Sequence, residues 1–116
     1  MTAILVTGAS GFVGRAVWRR LQGMRDTRVV GCVRRVDAFT DIGSSIVEVG
    51  DLSAQADWSG ALAGMEVVIH AAARVHVMRD GAIDPLAEYR RVNVQGTLQL
   101  ARQAASFGVK RFVFIS

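Results

Sequence analysis

Three glycines, Gly8, Gly11 and Gly14, recur at steps of three inside the stretch TGASGFVG, immediately before an apolar run with helical spacing. Glycine lets the backbone take positive φ and removes the Cβ that would hold a ligand away from the main chain. Where a strand turns straight into a helix, several backbone N–H groups are left over at the helix start, next to the positive end of its dipole. An anion, and phosphate above all, suits that place. A tight turn without a ligand could use the same residues. Here, however, the glycines follow a predicted strand, open a predicted helix and lie in the first β-α-β unit, which is the context of a dinucleotide site, where the last glycine also brings helix and strand close together. A mononucleotide P-loop is excluded, because Arg15 and Ala16, rather than a lysine and a hydroxyl residue, follow the last glycine.

Other residue types that do chemistry are sparse. His70 and His76 stand six apart with no cysteine nearby and no second carboxylate at ligand spacing, so no metal site is expected. His70 reads instead as a strand histidine hydrogen-bonded inside the fold. The single cysteine, Cys32, reads as a small core residue and cannot form an internal disulfide, which leaves a reducing, cytoplasmic setting as the default. The formal net charge of +4 raises the question of nucleic acid. Against it, the paired arginines are separated by apolar elements and have no stacking aromatics beside them, so solvated faces and one anion pocket are expected, with no nucleic-acid partner.

The elements that must position these residues alternate. AILVTG (3–8) is a continuous apolar run, as expected of a strand buried on both faces, and Phe12, Val13, Ala16, Val17 and Leu21 then recur at helical spacing. RVVGCV (28–33) is a second strand and SIVEVGDL (45–52) a third. Ser53 is a candidate N-cap for a helix over 54–64 that stops at Gly64. EVVIHAAA (66–73) is a fourth strand. Asp84 and Pro85 have the chemistry of a helix start for one long helix over 86–108, with Leu86, Tyr89, Val92, Leu98, Ala101 and Ala105 on or near its inner face and Gly108 at its end. RFVFI (111–115) is a fifth strand. This alternation predicts an α/β fold, a doubly wound parallel sheet in the order 3-2-1-4-5 with right-handed crossovers, as one domain over 1–116. An apolar start broken at once by glycines gives no expectation of a signal peptide or membrane span.

With these elements in place, TGASGFVG, GDLS after the third strand, VIHAAA on the fourth, RVNVQGTLQLA in the long helix and VKRFVFIS on the fifth occur in order along the whole chain. On these motifs the chain resembles the short-chain dehydrogenase/reductase superfamily, in particular its extended branch of NAD-dependent nucleotide-sugar epimerases, dehydratases and reductases. The resemblance implies a Rossmann-type fold in which Gly8, Ser10, Gly11, Phe12, Val13 and Gly14 hold the pyrophosphate of NAD or NADP. It makes Asp51 and Leu52 the pair at the adenine, although Asp51 as a helix cap is an alternative. Ala71, Ala72 and Ala73 are implied to line the cofactor ribose, although packing alone would also account for alanines. Asn93 is implied to order the long helix and the active-site strand. At the end of the second strand a carboxylate would bind the ribose 2′-hydroxyl and an arginine a 2′-phosphate. Val33 aligns with the acid position and Arg34 and Arg35 follow it, which favours NADP.

In this family the chemistry is done by a Ser or Thr just after the fifth strand and by a Tyr-x-x-x-Lys, in which the tyrosine acts as acid and base. The first aligns at or one residue beyond Ser116, and the only tyrosine, Tyr89, is followed four residues later by Asn93. The chain is therefore expected to be the cofactor-binding part of a larger cytoplasmic enzyme, inactive alone. The implied parent moves hydride at a sugar carbon, C4, of a nucleotide-diphosphate-sugar substrate, with epimerase, dehydratase and reductase left open. A non-catalytic NADP-binding redox sensor of the same superfamily is the alternative. An open fifth-strand edge with Phe112, Phe114 and Ile115 nearby predicts a homo-oligomer.

Overall fold

The computed structural model describes residues 1–34, 46–50, 55–72, 86–87 and 91–115. Its elements are β1 (Thr2–Thr7), α1 (Phe12–Gln22), β2 (Thr27–Val33), β3 (Ile46–Glu48), α2 (Ser59–Leu62), β4 (Val67–His70), a π-helical turn (Arg91–Gln95), α3 (Gly96–Ser106) and β5 (Arg111–Phe114). The five strands form one sheet in the order β3-β2-β1-β4-β5, and every pairing is parallel. The expected doubly wound order is thus the observed one.

The apolar run of β1 has neighbours on both edges and helices on both faces, so its residues Ala3 to Thr7 are all buried. Ile4, Val6, Val29 and Val33 point to the α1 side, where Trp18 and Ala9 close the core. Trp18 fits because Gly31 stands opposite it: a Cβ on Gly31 would lie 2.8 Å from the indole Nε1. Ala3, Leu5, Val30, Cys32 and Val68 point to the other face, where Trp58, Leu62, Leu100 and Ala104 pack on them. Burying a Leu such as Leu100 contributes about 2 kcal/mol, and both layers hold several side chains of that size.

Two expected helices differ from the observed ones. The helix expected over 54–64 is confined to Ser59–Leu62, and Ser53 lies outside the described residues. Before it, the backbone is bound elsewhere. Trp58 N–H donates to Gln103 Oε1 at 2.7 Å, and the side-chain amides of Gln99 and Gln103 donate to Ala56 C=O at 3.1 and 2.9 Å. With these groups committed to α3, the helix starts late, and Asp57 accepts from both Ser59 N–H and Ser59 Oγ.

The long helix is interrupted by the π-helical turn, and this changes its phase. Leu100, Ala104 and Gly96 are buried, whereas Leu98, Ala105 and Leu86, which the sequence placed on or near the inner face, are exposed. Ala101 is half-buried. One extra residue per turn rotates everything on one side of a π-turn by about 100° relative to the other, so a single 3.6-residue template cannot fit both sides. Asp84, Pro85 and Tyr89 lie outside the described residues, and so does Val92 as far as its side chain is concerned. The stops at Gly64 and Gly108 are as expected, and both take positive φ.

Candidate functional site

Chain order reverses at β1. From β1 the chain moves outward through β2 to β3, then returns to β4 on the other side. In doubly wound sheets, helices on the two sides of such a reversal leave a crevice beyond the C-terminal ends of the strands, the usual ligand position. The TGASGFVG turn leaves β1 at this point.

Each of its glycines is required for a different reason. Gly8 has φ +67°, and a Cβ on it would lie 2.7 Å from Ala72 N and 2.9 Å from the Ala71 carbonyl carbon, so its missing side chain makes room for the strand-four backbone. A Cβ on Gly14 would overlap the Gly8 carbonyl, so this glycine allows α1 to sit on the end of β1. Gly11 has ordinary backbone angles, φ −81° and ψ 175°, and a Cβ there would meet only Gly8 O, at 3.4 Å. Two of the three glycines thus serve contacts within the protein, and Gly11 alone keeps open space in front of the helix. From sequence the first glycine would serve a ligand's approach; in the structure it serves the approach of Ala71 and Ala72.

The turn is pinned by main-chain bonds. Ala9 N–H donates to Cys32 C=O at 3.0 Å, Gly11 N–H to Gly8 C=O at 3.0 Å, and Arg15 N–H to Gly11 C=O at 2.9 Å as the first helical bond. Gly11 is the N-cap, no side chain caps α1, and no acidic residue occurs in its first turn. Phe12 and Val13 are exposed, 96% and 46%, so they bring amides rather than core side chains to this position. Ser10 is half-buried beside them. The result is a hydrogen-bonded turn with the positive end of a helix dipole at the C-terminal end of β1.

Around it stand the other residues singled out by the sequence. Arg34 follows the last residue of β2 and is exposed, and its carbonyl accepts Gly50 N–H at 3.2 Å, which ties the ends of β2 and β3 together. Ala71 and Ala72 leave β4 half-buried, next to Gly8. Asn93 is half-buried in the π-helical turn ahead of α3. Arg35, Asp51, Leu52, Ala73, His76 and Ser116 lie outside the described residues. Among the described residues no group of three or more His, Cys, Asp or Glu could hold a metal ion, and no helix is long and apolar enough to cross a membrane.

His70 is where the sequence pattern puts it, inside the fold and hydrogen-bonded. Its Nδ1 lies 2.7 Å from Thr7 Oγ1 and its Nε2 2.9 Å from Thr97 Oγ1. Phe114 stacks on the ring at 5.8 Å and Phe112 tilts against it at 6.1 Å. Burial pushes the imidazole pKa down to about 4. The same cause pushes the Cys32 thiol up to about 12. Thr7 and Thr97 are not among the residues the sequence singles out. Thr7 could have been found as the one hydroxyl in the buried run AILVT, two residues after Leu5 and so on the same face, while Thr97 depends on the phase of α3, which the π-turn conceals.

The NAD dependent epimerase/dehydratase family model matches residues 4–116. The chain is 45% identical over 114 residues to a UDP-glucose 4-epimerase of Vibrio cholerae, covering 98% of this chain and 34% of that protein. It is 33% identical over 126 residues to a dTDP-glucose 4,6-dehydratase of Streptomyces niveus, covering 97% and 37%. Among solved structures it is similar to a short-chain dehydrogenase/reductase superfamily protein of Agrobacterium tumefaciens with bound NAD, at 36% identity and a TM-score of 0.75, covering 97% of this chain and 31% of that one. A UDP-glucuronic acid 4-epimerase of Bacillus cereus in complex with NAD is similar at 25% identity and a TM-score of 0.77, covering 99% and 40%. The chain spans about a third of the length of the curated relatives it matches. With the family model matched over residues 4–116 and a relative 45% identical over 114 residues, the chain belongs to the NAD dependent epimerase/dehydratase family.

Proposed function

We propose that the chain is the dinucleotide-binding part of an enzyme that transfers hydride at C4 of a nucleotide-diphosphate sugar, as epimerase, dehydratase or reductase. The observation that carries this is the mouth of α1: it opens on the reversal point, has no side-chain cap and no first-turn acid, and keeps open the space where a Cβ on Gly11 would stand. A diphosphate fits those features, because it needs donors, a positive dipole and close approach to the main chain.

In this reading the amides of Gly11, Phe12, Val13 and Gly14, with Gly8 and Ser10 shaping the turn, bind the pyrophosphate. Ala71, Ala72 and Ala73 line the ribose, Asp51 and Leu52 the adenine, and Asn93 steadies the start of the long helix. Arg34, with Arg35, takes a 2′-phosphate and so favours NADP, although the solved relatives named above hold NAD. The bound nicotinamide would supply the hydride acceptor and donor. The protein's contribution would be placement, with the glycine turn and the end of β4 holding the cofactor. The sugar-nucleotide class is supported by the epimerase and dehydratase relatives. Self-association is supported by exposed Val94 and Leu98 on the outer side of the long helix and by Val113 and Phe114, 46% and 54% exposed, on edge strand β5.

Calorimetric titration with NAD and NADP tests the reading. Both bind, NADP more tightly, and Arg34→Ala removes the difference by weakening NADP about tenfold, the worth of one charge-assisted contact. Absence of binding by either dinucleotide would refute the cofactor site. An unchanged ratio in Arg34→Ala would refute the NADP preference alone.

A further inference from the structure

Gln99 and Gln103 stand one turn apart on the same face of α3, both half-buried, and both reach the chain between β3 and α2. Their amide orientations follow from valence. Trp58 N–H can only donate, so the atom of Gln103 that faces it at 2.7 Å is the oxygen, and the nitrogen is left for Ala56 C=O at 2.9 Å. Gln99 Nε2 donates to the same carbonyl at 3.1 Å, which uses both of its lone pairs. Trp58 is itself anchored, 1% exposed in the core layer that holds Leu62, Leu100 and Ala104. Its burial already fixes the start of α2. What the two glutamines add is a grip on the chain ahead of it, on the side of β3.

We propose that Gln103, assisted by Gln99, is a positioning residue for the adenine end of the dinucleotide site. This rests on the reading of Asp51 and Leu52 as the pair at the adenine. On leaving β3 the chain is tied at Gly50, where φ is +74° and the N–H donates to Arg34 C=O at 3.2 Å, and it is held again at Ala56. Asp51 and Leu52 fall between these two ties in the sequence. Holding both ends of a short segment removes backbone freedom that a ligand would otherwise have to freeze, so a carboxylate within it can accept from the adenine amine at a smaller entropic cost. Gln103 touches no part of the cofactor in this scheme; it sets the strength of a contact that Asp51 makes. Its loss therefore acts on recognition of the base and spares the pyrophosphate, which the glycine turn holds.

The test compares, by calorimetry, NAD with nicotinamide hypoxanthine dinucleotide, which carries an oxygen where adenine carries its amine. It uses the unmodified protein, Gln103→Met and Gln103→Glu. Methionine fills the space of glutamine without its polar atoms, and glutamate keeps the acceptor for Trp58 N–H while losing the donor to Ala56 C=O. The unmodified protein prefers NAD about tenfold, the worth of one hydrogen bond to a charged group. In Gln103→Met NAD weakens about tenfold and the analogue does not, so the preference disappears, and Gln103→Glu lies in between. Equal weakening of both ligands, the mark of a general structural role, overturns the proposal, and so does an unchanged preference in a folded Gln103→Met protein. One measurement needs no variant to fold: in the unmodified protein the side-chain amide of Gln103 exchanges its hydrogens more slowly than that of exposed Gln95, and equal rates overturn the grip itself. If the unmodified protein binds both dinucleotides equally, the adenine pair and this proposal fall while the pyrophosphate site stands. If it binds neither, the cofactor reading falls as a whole.

Discussion

Adding one methyl group at Gly11 and the same methyl group at Gly14 should have opposite effects. At Gly14 the new Cβ would overlap the carbonyl of Gly8. Neither partner can yield by rotating a side chain, because both are backbone, so α1 must lift from the end of β1. Overpacking of this kind costs about 3 kcal/mol or more, a large part of the total stability of a chain this size. At Gly11 the backbone angles suit any residue and the nearest atom is at an ordinary 3.4 Å. The cost there is that of a poorer N-cap, about 1 kcal/mol or less. The affinities should run the other way relative to stability. On the proposed reading, Gly11→Ala places a methyl where a phosphate oxygen would come, and should lower NAD affinity at least about tenfold in a protein that still folds. Urea titration followed by circular dichroism gives the stabilities, and calorimetry gives the affinities. If Gly11→Ala binds NAD like the unmodified protein, the anion does not sit at the mouth of α1. If Gly14→Ala is as stable as the unmodified protein, the close packing described for α1 is wrong.

His70 makes stability depend on pH in a stated direction. Its pKa is about 4 in the folded protein against an ordinary 6.5, so the unfolded chain takes up the proton first. The resulting stability is complete above pH 6.5 and is lost as pH falls towards 4, by up to about 3 kcal/mol; His70→Phe should flatten that part of the denaturation profile. Cys32, buried with its pKa pushed up to about 12, should not react with iodoacetamide at pH 8 until urea unfolds the protein, and labelling at the rate of a free thiol would contradict its placement in the core. Light scattering at high concentration should give a mass above that of one chain, and Leu98→Glu should lower it; a clean monomer throughout would remove the case for self-association.

Much of the frame is legible in the sequence because it depends on patterns of local origin. The apolar run AILV, closed by the glycine turn, fixes β1, and the alternation of five such runs with helical stretches fixes a parallel sheet and its order. The same holds for Gly11 and Gly14, whose spacing directly after a strand suits a close strand-to-helix turn and little else. The rest depends on contacts between distant segments. Gly8 takes its role from Ala72, more than sixty residues away, and α2 is shortened because Gln99 and Gln103 claim the carbonyl and amide of Ala56 and Trp58. The π-turn at Arg91–Gln95 carries no distinctive residue, yet it decides which side of α3 faces inward, so the helical pattern misplaces Leu98 and passes over Thr97. His70 is placed correctly since a lone histidine in an apolar strand needs a partner, but the partner's identity requires the register of β1 against β4.

The chain has two tryptophans, and the sheet keeps them apart: Trp18 belongs to the layer under α1 and Trp58 to the layer under α2 and α3, each only 1% exposed. Each indole is therefore a private thermometer for one side of the molecule. Replacing one at a time with phenylalanine yields two proteins whose fluorescence, on heating, reports separately whether the two halves of the sandwich melt as one body or in sequence.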